Sequence, residues 1–253
     1  MVKRCVIGGD DMAVILYSGV PGSGKSLNVT RKIMLALWSG RDVIANFPIK
    51  FTKREIRKGF DKRFFYVPED RITVKNLARF ANYRGYLKKK KESQCLVVID
   101  EAGIRFNVKT DKEEKQAMED FFNDDKIAEV KIYGKKDRMQ WVKFFSQHRK
   151  FGFDFILIAQ ADRMLDRQIR AMVEIEYKHR KASSMYWWFK LFPWKIFVSV
   201  EMYYGLNLKT DVQFFVYKRS LGDRYDSMKL FDGYEIETEK GITDIYAIFK
   251  PEE

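Results

Sequence analysis

Gly19, Gly24, Lys25 and Ser26 stand in the stretch VILYSGVPGSGKSLNV (Val14–Val29) at the spacing of a phosphate-binding loop. Glycines allow a wrap in which successive backbone N–H groups point inward at phosphate oxygens, and the following helix adds its positive N-terminus. The expected cradle is Gly19, Pro21, Gly22, Ser23, Gly24, Lys25, Ser26 and Leu27. Within it Lys25 reaches the β and γ phosphates, and the Ser26 hydroxyl ligates Mg²⁺. A second run, LVVIDE, ends in Asp100 and Glu101. A carboxylate at the C-terminal edge of a strand holds Mg²⁺ through water, which assigns Asp100 to the metal beside Ser26. Glu101, next to it, is placed to polarise an attacking water. The sequence carries no NKxD guanine-reading motif. These residues therefore point to ATP with Mg²⁺.

About seventy residues separate the two motifs, enough for an extra strand–helix unit between their strands, with DVIAN and FFYV as candidates for it. Gln160, ending the apolar run FILIA, falls where a polar side chain senses the γ phosphate. Transition-state charge also calls for an arginine, which a neighbouring subunit often donates. Arg149, Arg163, Arg167 and Arg170 cluster around the Gln160 strand, with Arg170 the first choice and Arg149 the second.

The elements that must position these groups are legible from periodicity. Met12–Ser18, Asp42–Ile49, Phe64–Val67, Cys95–Ile99 and Phe153–Gln160 are short apolar runs that predict buried strands. Lys25–Trp38 predicts a helix with Leu27, Ile33, Met34, Leu37 and Trp38 as its apolar stripe, stopped by Gly40. Helices are also expected over Thr73–Lys91, Asp111–Val130, Arg138–Gly152 and Asp162–Val173. After Val173 the pattern turns to period two, which predicts antiparallel or mixed strands. The expected fold class is α/β, a P-loop NTPase with a mainly parallel sheet flanked by helices and a C-terminal β-rich extension. Its expected division is an N-terminal extension (1–11), an ATPase core (12–180) and the extension (181–253).

The 253 residues carry 48 Lys and Arg against 35 Asp and Glu, a formal charge of +13 that favours polyanions. Residues 50–91 alone hold 15 cations against four acids, +11 of the total, ending in the run Lys88–Lys91. That block suits DNA phosphates or an anionic membrane surface. Cys5 and Cys95 form no disulfide or metal-site pattern, and Cys95 reads as a core residue. His148 and His179, among Arg and Lys, lack metal-ligand spacing and read as structural. Tyr186, Trp187, Trp188 and Trp194, beside Lys190 and Lys195, suit packing between strands or a membrane interface. The charges Lys190, Lys195 and Glu201, with Pro193, break the Ser183–Gly205 stretch, so no spanning helix is expected there. The N-terminus lacks a signal-peptide pattern.

The segments YSGVPGSGKS, VVIDEAG, SQHRKFGFDFILIAQ and DRQIRAMVE, in this order and spacing, resemble the zonula occludens toxin family, which includes assembly ATPases of filamentous phages. The resemblance runs from about Met12 to Val173. It implies a P-loop ATPase on the cytoplasmic side of the host inner membrane, energising extrusion of single-stranded DNA as the virion acquires coat protein. It implies a homo-oligomer, with single-stranded DNA, coat or assembly proteins and the anionic membrane surface as partners. Members commonly carry a transmembrane helix after the ATPase domain. None is evident here, which leaves a truncated version or another mode of membrane docking. Two other classes remain open on the residues: a P-loop kinase of a small substrate, and a nucleic-acid-binding module switched by ATP.

Overall fold

A computed structural model describes residues 13–89, 92–107, 135–184, 195–206 and 208–225. The strands are β1 (Val14–Ser18), β2 (Asp42–Ala45), β3 (Phe64–Tyr66), β4 (Cys95–Ile99), β5 (Phe153–Ala159), β6 (Ile175–Lys181), β7 (Ile196–Tyr203) and β8 (Leu208–Val216). They form one sheet in the order β3-β2-β4-β5-β1-β6-β7-β8. The first six pair in parallel, and β7 and β8 continue the sheet antiparallel. The expected mainly parallel α/β fold with added C-terminal strands is the one observed.

Helices cover both faces. The longest are α1 (Lys25–Trp38), α3 (Val74–Tyr83) and α6 (Lys135–Gln147), and the shorter ones are α2 (Lys53–Arg57), α4 (Tyr86–Lys89), α5 (Ala102–Arg105), α7 (Arg167–Arg170) and α8 (Arg219–Gly222). α1 lays Val29, Ile33, Met34 and Leu37 on a core with Ile15, Tyr17, Val43, Val98 and Ile158. On the other face Leu77 and Phe80 of α3 and Trp141, Phe144 and Phe145 of α6 cover Leu16, Val97, Phe155 and Leu157. Strands buried on both faces are largely apolar, as in β1, β4 and β5, where the one buried acid, Asp154 of β5, is paired with Arg41 and Ser93.

Three expectations need correction. DVIAN and FFYV do not lie between the two motif strands. β2 and β3 stand outside β4, and β5 is the strand inserted between β1 and β4. Buried β5 needs apolar neighbours on both edges, and only the two motif strands are apolar over that length. The helix over Thr73–Lys91 is broken at Gly85, whose φ of 70° lies in the left-handed region, so α3 and α4 are separate. Trp38 leaves the apolar stripe: it is exposed, with the Lys58 ammonium over its ring at 3.7 Å.

The N-terminal extension with Cys5, the helix expected over 111–130, Lys90 and Lys91, and Tyr186, Trp187, Trp188 and Trp194 lie outside the described residues. Among the described residues no helix is long and apolar enough to cross a membrane.

Candidate functional site

β1, β4 and β5 run in parallel, so their C-terminal ends bring the turn after Ser18, Asp100 and Gln160 to one edge of the sheet. The Gly19 N–H donates to the Gln160 carbonyl at 3.2 Å, which ties the glycine-rich turn to the end of β5. The Gln160 side chain itself is exposed.

Close approach dictates the glycines of the turn. Gly24 has φ 92°, and a Cβ there would come within 2.8 Å of the Phe197 ring on β7. Gly19, at φ 145°, lies so near the His179 carbonyl that a methyl group would overlap it. Gly24 begins α1 without a side-chain cap, and the helix has no acidic residue in its first turn. The first-turn amides are thereby left to an anion. Ser23 is buried, and its Oγ has no hydrogen-bond partner among the described residues. Lys25 folds back over the turn, donating to the Gly19 carbonyl and, at 3.2 Å, to the Val20 carbonyl. Burial presses its pKa down, against the opposing pull of the Asp100 and Glu101 charges.

Asp100 is buried, and its backbone is held by one side chain. Asn46, just past β2, accepts from the Asp100 N–H at 2.7 Å and donates to the Asp100 carbonyl at 2.9 Å. The sequence marks Asn46 only as a strand-ending residue. In the fold it sets the height at which Asp100 leaves β4. Removing it strands two buried backbone groups, each worth about 1–3 kcal/mol. Asn46→Leu is therefore expected to cost about 3 kcal/mol in urea unfolding, and a loss below about 1 kcal/mol would refute this role.

Glu101 is exposed and has φ 54°, in the left-handed region, and its N–H donates to Asp100 Oδ1 at 2.9 Å. Burial, then the Asp100 charge, raises its carboxyl pKa, with Lys25 opposing. Glu69, which follows β3, is likewise raised by burial, against Arg105 and with added repulsion from Glu101 and Asp100.

The Tyr225 hydroxyl donates to Asp100 Oδ2 at 2.5 Å. Burial, then the Asp100 charge, keeps the Tyr225 phenol protonated far above neutral pH. Tyr225 lies outside every motif, and only the three-dimensional structure reveals it at the site.

His179 is the other group without a sequence signal. On β6, its Nδ1 faces the Tyr177 carbonyl at 2.9 Å and its Nε2 the Asn28 amide nitrogen at 3.0 Å. Asn28 is buried on α1, one turn beyond Gly24. His148 contacts the Phe145 carbonyl at 2.5 Å, next to the start of β5, at the edge away from the glycine turn.

The arginines are dispersed. Arg170 stands 4.0 Å from Asp162, while Arg149 pairs with Glu174 at 3.0 and 3.1 Å near the opposite edge of the sheet. Arg163 and Arg167 are exposed.

A sequence profile of the family described as Zonular occludens toxin (Zot) matches residues 13–221. No curated protein sequence matches the chain. Among solved structures, the chain is similar to the N-terminal domain of zonular occludens toxin from Neisseria meningitidis, at 18% identity and TM-score 0.39, covering 85% of this chain and 100% of that one. It is also similar to the genome packaging NTPase B204 from Sulfolobus turreted icosahedral virus 2 in complex with ATP-gammaS, at 14% identity and TM-score 0.40, covering 80% of this chain and 96% of that one. Both superpositions are weak, so the assignment rests on the sequence profile.

Proposed function

The chain belongs to the Zonular occludens toxin (Zot) family, and from that premise we propose that it is an ATP hydrolase driving virion assembly. In this reading it couples hydrolysis to extrusion of single-stranded DNA at the inner face of the host inner membrane, as a homo-oligomer working with coat or assembly proteins. The observation that carries the hydrolase part is that the parallel strands β1, β5 and β4 bring the glycine turn, Gln160 and Asp100 to one edge of the sheet.

The residues fit the ligands. Uncapped amides at the start of α1, the buried Ser23 hydroxyl and the Lys25 ammonium suit a triphosphate. A hydroxyl and a carboxylate are hard oxygen donors of the kind Mg²⁺ takes. Ser26 directly and Asp100 through water would hold Mg²⁺, which would supply positive charge against the transferring group. Glu101 accepts the proton of the attacking water, and its raised carboxyl suits that task. Gln160, on the strand between the two motifs, contacts the γ phosphate. Arg170, or Arg149 second, serves a neighbouring subunit's site. Lys53, Arg54, Arg57 and Lys62 are exposed and offer the DNA a cationic face.

The test is phosphate release. The wild type is expected to liberate inorganic phosphate without an acceptor and to be stimulated by single-stranded DNA, less so as salt rises. Lys25→Ala should abolish binding of a fluorescent ATP analogue. Unaltered affinity in that variant would sink the nucleotide assignment, and transfer of phosphate to a small acceptor would replace the hydrolase by a kinase.

A further inference from the structure

Nine residues beyond β8, the chain returns to the nucleotide edge and puts a phenol on Asp100, one of the two residues assigned to the cation. Its approach is built rather than incidental. Arg224 forks onto Glu55 at 2.7 and 2.9 Å, with both side chains largely buried. Its carbonyl accepts from the Lys50 N–H at 3.2 Å. Leu221 and Tyr225 pack against the core under α1, and the Tyr225 ring meets Phe47 edge-on at a centroid distance of 4.9 Å. The clamp reaches α2, the turn after β2 and, through Arg224 Nη1 at 3.5 Å from the Met34 sulfur, the middle of α1.

We propose that residues 219–225 form an autoinhibitory strap, in which the Tyr225 hydroxyl takes the place beside Asp100 that magnesium–nucleotide needs. Mg²⁺ demands near-octahedral oxygen ligands at about 2.0–2.1 Å. A phenol donating its proton to Asp100 at 2.5 Å stands where the water between that carboxylate and Mg²⁺ would have to be. Magnesium–nucleotide binding must expel the ring, while the phosphates alone, on the Gly22–Lys25 amides, need not. The strap thus makes the cation the signal that opens the site. This inference rests on the nucleotide reading above.

The test compares the full chain with Tyr225→Phe, which keeps the ring and removes the hydroxyl, and with Arg224→Gln, which releases the clamp. A fluorescent ATP analogue is titrated with magnesium and with chelator, and hydrogen exchange is followed over residues 219–225. A hydrogen bond to a charged group is worth about 1.5–3 kcal/mol, so Tyr225→Phe should tighten magnesium-dependent binding about ten- to a hundredfold and leave chelator binding unchanged. Arg224→Gln should tighten it too, and exchange over the strap should rise in the wild type on adding magnesium–ATP. Unchanged or weaker magnesium-dependent binding in Tyr225→Phe, or protection of the strap by magnesium–ATP, would overturn the strap while leaving the nucleotide reading intact. Binding absent from the wild type and both variants would overturn both, whereas binding that appears only in the variants supports the strap.

Discussion

Replacing Glu101 by Gln is expected to leave ATP affinity within about twofold and to lower turnover about a thousandfold, the middle of the range for general-base removal. Gln matches Glu in shape and cannot take a proton, so the exchange isolates proton transfer from packing. The surroundings of Glu101 suit a base more than a structural anion. Its side chain makes no salt bridge among the described residues, and burial and the neighbouring Asp100 raise its affinity for a proton. Its backbone also sits at φ 54°, a conformation costing a non-glycine residue about 1–3 kcal/mol, and such strain gathers at functional positions. The strained residue immediately follows Asp100, whose backbone Asn46 fixes. Single-turnover phosphate release beside equilibrium titration of a fluorescent ATP analogue separates the two effects. Equal loss of binding and turnover would make Glu101 a ligand-holding residue, and unchanged turnover would remove it from the chemistry.

The parts of this site legible in the sequence are those written in consecutive residues. A strand, a glycine turn and a helix start follow one another from Val14 to Trp38, and LVVIDE carries its strand and its acids together. Sheet order is a different kind of information. It depends on which apolar strand buries its edges against which, so β5 entered between the motif strands while β2 and β3, nearer in sequence, went outside. Asn46, His179 and Tyr225 act from 54, 151 and 125 residues away from the groups they hold. No local pattern encodes such pairings. His179 looked structural because it lacks metal-ligand spacing, yet its neighbours are Asn28 and the glycine turn, which a period-two strand cannot announce. Gly85 was readable as a helix breaker, but the strong amphipathic pattern on either side of it outweighed a single glycine.

His179 gives the chain a specific sensitivity to acid. Burial lowers its pKa from 6.5 to about 4, with the Tyr177 and Ser18 backbone groups opposing and the Lys25 charge adding to the fall. The hydrogen bonds agree with a neutral ring: Nδ1–H donates to Tyr177, and Nε2 accepts from the Asn28 amide. A proton on Nε2 would set donor against donor on α1, beneath the phosphate turn. Since the folded pKa is depressed, the unfolded chain binds the extra proton between pH 6.5 and pH 4. The stabilisation is therefore complete above pH 6.5 and lost as pH falls towards 4. At about 1.4 kcal/mol per pKa unit, the shift amounts to about 3 kcal/mol. His179→Gln retains an acceptor for Asn28 and cannot titrate. Urea unfolding of both proteins at pH 7 and pH 4 is expected to show the wild type losing about 3 kcal/mol more than the variant, because every carboxylate contribution is common to the two. Parallel losses would mean that the ring is accessible to protons in the folded chain, and that the contact between β6 and the glycine turn does not depend on its neutrality.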